Sequence, residues 1–358
     1  MTFVVPQYTK GQVNRAGEIL AADLPLLNEE HWDEWLDASR VLANWRGCHA
    51  YPINTFQATL RAKLKQIDPK ALVAQRLKRT PSIIAKLQRF KGMQLSRMQD
   101  IGGLRAVVSS MTELRALQKA YESTRFAHEQ LPTKDYISQP KADGYRSIHL
   151  IYRYHNDLAP EYNGLSIELQ IRTKTQHAWA TAVETMGTYL GQALKSGQGD
   201  DAWKLFFQTA SAALTFIERS PTIPGFENLD RESIYERLEK QESDLNVLQK
   251  LRGFAIATDR IHAARGTGSY HLIVLDSVKR SVTLTPYPTS RLDEATKDYA
   301  HIEDRAKAGE PLEAVLVSAG PIEALKKAYP NYFLDTEVFI SQIQRMINAY
   351  HKNKSERA

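Results

Sequence analysis

Residues 166–173 read SIELQIRT, with apolar and polar side chains in strict alternation. A period of two is typical of a β-strand that buries one face and leaves the other face polar. The polar face carries a hydroxyl, a carboxylate, an amide and a guanidinium, from Ser166, Glu168, Gln170 and Arg172. A second strand pattern at 146–154 precedes this one across a loop with Pro160 and Asn163-Gly164, so the sequence predicts a β-hairpin.

The segments around the hairpin alternate between strand and helix patterns. A strand is expected at 104–108 after the Gly102-Gly103 turn, and a helix over 72–90 is expected to be broken by Pro81. Residues 1–70 have a helical pattern, in which Asn28 is a candidate N-cap. Further helices are expected at 113–123, 176–190, 203–219 and 230–251. The mixture predicts an α+β fold.

From Gly253 the pattern changes to short strands and helices. Strands are expected at 254–257, 270–275, 281–285 and 312–317, and helices at 292–308, 321–328 and 338–350, before a frayed end from Lys352. This pattern predicts a small α+β domain. The expected organisation is an N-terminal helical region at 1–70, a central domain at 71–190, a helical extension at 191–252, the small domain at 253–350 and a tail at 351–358.

The composition sets the broad class of the protein. The 358 residues are 42% hydrophobic and 25% charged, which favours two folded domains over wholesale disorder. No apolar run is long enough to predict a membrane span, and the first ten residues lack the apolar core of a secretory signal. The single cysteine, Cys48, excludes an internal disulfide and a multi-cysteine zinc site and favours the reducing cytoplasm. A net charge of +6 indicates an anionic partner.

Residues 76–105 concentrate positive charge, with eight Lys or Arg and one acid, Asp100. A solvated basic helix face is the simplest interpretation. The spacing supports another one, because on a helix Lys78, Ser82 and Lys86 would share a face and could hold a polyphosphate. Asp100 would then suit a Mg²⁺ ion at the edge of this basic site, although an Asp before two glycines is more often part of a turn.

Residues 135–149 form the second unusual segment. Pro140 and Asp143-Gly144 predict a turn into a strand. The turn would present a flat aromatic ring for a base and three groups that suit phosphates, namely Tyr145 with Lys141, Arg146 and His149. Taken singly, the tyrosine could be a half-buried strand residue and the histidine an interior one. Glu168 is the candidate second carboxylate beside Asp100, and the absence of a P-loop motif excludes a Walker-type nucleotide site.

Four motifs in order resemble the synthetase domain of the RelA/SpoT family, the alarmone synthetases that make (p)ppGpp. They are the R-x-K-x3-S-x3-K run from Arg76, the D-I-x-G-x-R turn from Asp100, the K-D-Y-I-x-x-P-K-x-x-G-Y-R-S-x-H loop from Lys134 and the E-x-Q-I-R-T strand from Glu168. The resemblance covers about residues 70–190. It implies a nucleotidyltransferase-like mixed sheet flanked by helices, and transfer of the β,γ-pyrophosphate of ATP to the 3′-hydroxyl of GDP or GTP.

The resemblance also implies a role for each matching residue. Arg76 and Arg105 would sandwich adenine, while the ATP phosphates would meet Lys78, Ser82, Lys86 and Arg89. Asp100 and Glu168 would be catalytic and would bind Mg²⁺, and Glu168 would also accept the proton of the attacking hydroxyl. The acceptor would meet Lys141, Asp143, Tyr145, Arg146, His149 and Gln170, with Tyr145 stacking on its base. Short members of the family can form homo-oligomers, which is an expectation here too.

Two departures from the family pattern leave alternatives open. The family commonly has Asn where this chain has Asp143, and an ionised Asp offers acceptors only, so the acceptor base is in question. No His-Asp dipeptide occurs, which argues against the hydrolase domain of the long members. The alternatives are a RelA/SpoT-like toxin that pyrophosphorylates the 3′ end of tRNA, restrained by its C-terminal domain and acting in phage defence, and a catalytically inactive nucleotide-binding regulator.

Overall fold

The computed structural model describes residues 3–22, 29–123, 126–190, 201–263, 269–276, 278–279, 281–308, 310, 312–318 and 332–357. By its internal contacts the chain divides into two compact units. The first unit comprises Met1–Tyr136 and Ser147–Thr173, and the second comprises Ile137–Arg146 and Lys174–Ala358. Within the described residues, no helix combines the length and the apolar character needed to cross a membrane.

The first unit is a mixed sheet with helices. Its helices are α1 (Lys10–Ala21), α2 (Glu29–Cys48), α3 (Ala50–Ile67), α4 (Thr80–Arg89) and α5 (Met111–Glu122). Its strands are β1 (Leu72–Leu77), β2 (Gly102–Val108), β3 (Glu129–Gln130), β4 (Lys134–Asp135), β5 (Ile148–Arg153) and β6 (Ser166–Thr173). The strand order is β1-β2-β6-β5-β3, with β4 also paired to β5. Only the β2–β6 pair among these is parallel, so the predicted α+β class with a mixed sheet is confirmed.

The two faces of this sheet differ in polarity, as the alternation in 166–173 predicts. Ile167, Leu169 and Leu104 are buried on the face that packs against α3 and α5. Helix α5 starts at a cap in which the Ser110 hydroxyl accepts a hydrogen bond from the Thr112 backbone N–H. The predicted hairpin is also confirmed, since β5 and β6 pair antiparallel. The opposite face of β6 carries Glu168.

The expectation of one helix over 72–90 is wrong in its first half. Residues Leu72–Leu77 form β1, which pairs antiparallel with β2. Pro81 lies in the first turn of α4, where its missing N–H leaves no helix bond unmade, so it starts a helix rather than breaking one. Lys78 therefore precedes α4 and shares no helix face with Ser82 and Lys86, contrary to the sequence-based expectation.

The second unit contains helices and a separate sheet. Its helices are α6 (Lys174–Tyr189), α7 (Asp201–Glu218), α8 (Arg231–Leu245), α9 (Val247–Ala263), α10 (Leu292–Lys307) and α11 (Tyr332–Arg357). Its strands are β7 (Tyr270–Asp276), β8 (Ser281–Tyr287) and β9 (Leu312–Ser318), in the order β8-β7-β9. Helices α6, α7, α9 and α11 share one apolar core that includes Trp179, Phe206, Phe254 and Phe339.

Several predictions for the second unit need correction. Residues 254–257 lie in α9 and not in a strand, because a run of four apolar residues fits a buried helix equally well. The expected helix at 230–251 is two helices, separated at Asn246, whose φ of +51° is a left-handed conformation that Asn tolerates. Helix α11 continues through Arg357, so the expected fraying from Lys352 is wrong for 352–357.

The other C-terminal expectations have mixed outcomes. The strands at 270–275, 281–285 and 312–317 and the helices at 292–308 and 338–350 are confirmed in kind. The helix at 321–328 and the Asn28 cap lie outside the described residues. The expected boundary between 252 and 253 falls inside α9.

Candidate functional site

Asp100 lies just before β2, between two lysines of the same unit. The Lys78 Nζ is 3.0 Å from its Oδ2, and the Lys86 Nζ is 2.9 Å from its Oδ1. Lys78 is held at the end of β1, where its backbone N–H donates to the Ile101 carbonyl at 2.7 Å. Burial raises the pKa of Asp100, but the two ammonium groups outweigh burial and hold the pKa below its usual value. Asp100 is therefore ionised at neutral pH.

Glu168 is the corresponding carboxylate on β6, with 8% of its surface exposed. The His149 Nδ1 lies 2.8 Å from its Oε1, and the Gln170 Nε2 donates to its Oε2 at 2.8 Å. Burial raises the pKa of Glu168 and so does the charge of Asp100, but the contacts with His149 and Gln170 outweigh both and lower it. Because the negative charge of Asp100 raises the pKa of Glu168, the two carboxylates interact electrostatically.

The strand register places these groups in rows on the polar face of the sheet. Arg76 of β1 is paired with Gly103 of β2, and Gly103 is paired with Glu168 of β6. In the next row, Arg105 pairs with Gln170, which pairs with His149 of β5. A Cβ on Gly103 would meet only backbone atoms, at 3.7 Å and 3.9 Å. The missing side chain at Gly103 thus leaves a notch between Arg76 and Glu168.

The predicted ATP-binding residues other than Lys78 lie on β1, β2 and α4. Arg76 is exposed on β1, whereas Arg105 is buried on β2 and lies diagonally from it. Ser82 and Lys86 are one turn apart on α4, and Arg89 is in its last turn with its guanidinium 5.3 Å from the Phe90 ring centroid. Of the cations from residues 76 to 105, Lys78 and Lys86 contact Asp100, the first from just after β1 and the second from α4 rather than both from one helix.

The predicted acceptor residues divide between the units. His149 and Gln170 belong to the first unit, and Lys141, Asp143, Tyr145 and Arg146 belong to the second. Asp143 closes a tight turn, since its Oδ1 accepts from the Tyr145 backbone N–H at 2.9 Å. The Lys141 Nζ lies 5.2 Å from the centroid of the Tyr145 ring. The loop therefore presents an aromatic ring with a cation beside it, as the sequence predicts.

Gly144 fixes this loop against the helices of the second unit. Its φ is +89°, and a Cβ there would lie 2.9 Å from Trp179 Cζ2 and 3.0 Å from Ser211 Cβ. The Ser211 hydroxyl donates to the Gly144 carbonyl at 2.7 Å. Only glycine satisfies both the backbone conformation and the close approach. Helices α6 and α7 thereby position Tyr145.

Arg146 has a partner that sequence reasoning missed. Its Nη1 lies 3.1 Å from Glu218 Oε2, and the side chains are 3% and 5% exposed. Arg146 also donates to the Ser220 hydroxyl, and the Gln176 amide donates to Glu218 at 3.0 Å. The guanidinium thus belongs to a buried ion pair, and its predicted contact with acceptor phosphates stays a prediction. No local pattern around Glu218, at the end of α7, identifies it as that partner.

The two carboxylates fit a Mg²⁺ ion by their chemistry. Both are ionised oxygen ligands, and Mg²⁺ is usually held by one or two carboxylates together with phosphate oxygens. No group of three or more His, Cys, Asp or Glu that could hold a metal occurs in the part of the chain that the structure describes. A metal ion bound at Asp100 would displace a lysine ammonium from one of the Asp100 oxygens. That ammonium could then contact a phosphate.

Residues 75–192 match the family model described as a region found in RelA / SpoT proteins. This part of the chain is similar to the region found in RelA and SpoT proteins. It is 28% identical over 174 residues to GTP pyrophosphokinase YjbM of Bacillus subtilis, covering 44% of this chain and 78% of that protein. It is 31% identical over 147 residues to a GTP pyrophosphokinase of Escherichia coli K12, covering 41% of this chain but only 18% of that protein.

A solved structure aligns with part of the chain. Small alarmone synthetase 1 of Bacillus subtilis, bound to its product pppGpp, aligns with 48% of this chain and 90% of its own at a TM-score of 0.41 and 23% identity. The resemblance drawn from the four motifs is thus confirmed for the RelA/SpoT region. Helices α7 to α11 lie outside the residues that the family model matches.

Proposed function

We propose that this chain is a pyrophosphokinase that transfers the β,γ-pyrophosphate of ATP to the 3′-hydroxyl of GDP or GTP. One observation carries the proposal: two ionised carboxylates lie at neighbouring strands, Asp100 just before β2 between two lysines and Glu168 on β6 beside His149. The relatives named GTP pyrophosphokinase support the same reaction. In this reaction the acceptor O3′ forms a bond to the β-phosphorus, the bond between that phosphorus and the bridging α,β-oxygen breaks, and AMP leaves.

The residues of the first unit suit the requirements of such a transfer. Pyrophosphate transfer depends mainly on alignment and on neutralising phosphate charge, which Lys78 and Lys86 supply. Glu168 is the group that takes the proton of the acceptor hydroxyl, and its lowered pKa keeps it ionised for this step. A Mg²⁺ ion held by Asp100 and Glu168 would supply further charge neutralisation at the phosphate oxygens. In the second unit, Tyr145 offers its ring to the acceptor base.

The test is a transfer assay with γ-labelled ATP. The purified chain is incubated with Mg²⁺ and GDP, GTP or bulk tRNA, and the product that carries the label is identified. Label in a 3′-pyrophosphorylated guanosine nucleotide is the expected result. Label found only in RNA would show that the acceptor is RNA rather than GDP or GTP. ATP binding without any transfer would favour the interpretation as a catalytically inactive nucleotide-binding regulator.

A groove in the first unit favours RNA as a second candidate acceptor. The groove has a volume of about 750 Å³ and its lining includes Lys10, Arg97, Arg153 and Ser166. Ser166 is two residues before Glu168 on the same strand, so both side chains lie on the polar face of β6. The groove's lining residues include three cations and no acid among the described residues, although Arg153 pairs with Glu129. Such a surface suits a phosphate backbone.

Restraint by residues 253–350 stays a prediction, and the structure changes how it should be tested. A chain cut at 253 would end inside α9 and would lose α11, which packs against α6 and α9 in the second unit. The cut would expose the apolar core around Phe339 and Ile343. Loss of folding would then be confused with release of activity. Point substitutions are the better test.

Replacing Arg76 with Ala should weaken ATP binding by about 2- to 30-fold, which corresponds to the roughly 0.5–2 kcal/mol of a cation stacked on a ring. Arg76 is exposed on β1 and makes no internal contact that its loss would break among those described, so the fold should remain. Equilibrium titration of ATP measures the change. Arg237→Ala on α8, also an exposed arginine, is the matched control. Equal ATP affinity in Arg76→Ala and the wild type would remove Arg76 from the adenine site.

Replacing His149 with Phe should move the acidic limb of the pH–rate profile to higher pH. The contact with His149 is the largest of those that lower the pKa of Glu168. Burial raises that pKa, and the burial remains in the variant. Glu168 then becomes protonated at a higher pH, and activity that needs its carboxylate is lost earlier as the pH falls. The pH dependence of kcat/KM measures the limb. His155→Phe, at a half-exposed histidine of the same unit, should leave it in place; an unmoved limb in His149→Phe would contradict the assignment.

A further inference from the structure

The second unit contains a cavity of about 470 Å³ beside Tyr145. This volume lies in the range of ligand sites in proteins. One wall is the acceptor loop, with Ala142, Asp143 and Tyr145, and the inner surface includes Trp179 and Val183 of α6 with Phe207. Phe207 belongs to α7, and the remaining lining residues are four further residues of that helix, namely Asp201, Lys204, Leu205 and Gln208.

The four α7 residues form a single stripe of the helix. Their spacing of i, i+3, i+4 and i+7 places them on one face, whereas the core side of α7 carries residues such as Trp203 and Phe206. Leu205 is 46% exposed on this stripe, although it is a large aliphatic side chain. Leu205 therefore adds apolar surface to the lining of the cavity.

The cavity combines apolar walls with polar groups at its edges. Trp179 is held in place because its Nε1 donates to the Phe207 carbonyl at 2.9 Å, so the indole is a fixed flat wall. Asp143 brings a carboxylate, Gln208 an amide that both donates and accepts, and Lys204 an ammonium, whose Nζ lies 2.6 Å from Asp201 Oδ1. Flat walls with a few placed donors and acceptors suit a heterocyclic base.

We propose that this cavity takes the purine base of the acceptor and that α7, through Gln208 and Lys204, decides which base is accepted. The inference rests on the proposed function, in which Tyr145 stacks on the acceptor base. It adds that acceptor choice depends on a helix outside residues 75–192, the segment that the family model matches. The amino group of guanine, adenine or cytosine can donate to the acceptor-only Asp143, and uracil has no amino group to do so.

The first arm of the test measures binding without turnover. Guanosine, adenosine, cytidine and uridine are titrated by calorimetry into the wild-type chain and into Gln208→Leu and Lys204→Met. The wild type should bind a purine nucleoside more tightly than uridine, and Gln208→Leu should reduce that ratio by about tenfold, as expected when one hydrogen bond of about 1.4 kcal/mol is lost. Gln344→Leu, at a partly exposed glutamine of α11 that does not line the cavity, should keep the wild-type ratio.

The second arm separates this inference from the proposed function. Transfer from labelled ATP is measured with GDP, IDP and ADP, and with short RNAs that end in each base. Transfer whose base preference is unchanged in both α7 variants would overturn the inference and leave the function standing. If the chain shows no transfer, but the wild type binds purine nucleosides and the two α7 variants do not, the proposed function is overturned and the assignment of the cavity as a base site is supported. Wild-type binding ratios in both variants would overturn the inference in either case.

Discussion

Glu168→Gln should lower the rate of pyrophosphate transfer by about 10²- to 10⁴-fold while the chain stays folded. The amide has nearly the same shape, but it carries no negative charge, cannot accept the proton of the acceptor hydroxyl and is a poor ligand for Mg²⁺. The loss should appear in kcat more than in the KM for ATP, because the lysines around Asp100 are unchanged. Initial rates with saturating ATP, together with circular dichroism, measure both parts of the expectation.

Glu161→Gln is the matched control for this substitution. Glu161 is an exposed glutamate in the loop before β6, so its change removes one charge from the same unit without touching the polar face of the sheet. The control should retain the wild-type rate within about twofold, as expected for a surface substitution. If Glu168→Gln also retained a rate within a few fold of the wild type, Glu168 would have no place in proton transfer or in metal binding.

Glu218→Gln should destabilise the second unit by about 3–5 kcal/mol. Arg146 and Glu218 are both almost fully buried, so removal of the glutamate charge leaves a guanidinium uncompensated in the interior. A loss of this size is a large part of the total stability of a domain. Urea unfolding followed by circular dichroism should show a midpoint shifted to lower urea at an unchanged slope.

The exposed ion pair of Arg153 and Glu129 provides the control for burial. It has good geometry, with both glutamate oxygens within 3.0 Å of the Arg153 Nη1, yet both side chains are more than half exposed. Glu129→Gln should therefore cost no more than about 1 kcal/mol. Equal costs for Glu129→Gln and Glu218→Gln would show that burial does not set the strength of the Arg146 pair.

A double substitution separates the structural role of Arg146 from its predicted role at the acceptor. Arg146→Met with Glu218→Leu replaces the ion pair by apolar groups of similar size, which is often neutral for stability. If Arg146 only anchors the loop, the double variant should recover both stability and the wild-type KM for the acceptor. If Arg146 also contacts acceptor phosphates, the stable double variant should show a raised acceptor KM.

Local sequence patterns predicted the centre of the first unit well. The alternation in 166–173 and the turn at Asn163-Gly164 are sufficient for a hairpin with one polar face, because both signals depend on neighbouring residues alone. They also place Glu168 and Gln170 on that face. The two lysines beside Asp100 were predicted as a group, but from a helical spacing that the chain does not adopt.

The errors share a physical cause. Residues 72–77 become β1 because β2 offers an unpaired edge, and residues 254–257 stay helical because α9 packs into a core with α6 and α11. In both segments, partners far along the chain outweigh local preference. Glu218 and the α7 wall of the cavity were missed for the same reason, since their partners in the loop at 141–146 precede them by a long stretch of chain.

The amino-acid sequence by itself determined the chemistry available to this protein: the motif order of a RelA/SpoT region, its carboxylates, its cations and the polar face of β6. These features depend on residue types and short spacings, which local physics controls. Only the tertiary structure decided that lysines bracket Asp100, that His149 holds Glu168, and that Arg146 is paired internally with Glu218. Such pairings form when strands and helices that are distant in sequence pack together, and burial then fixes both the partners and the charge states of these groups.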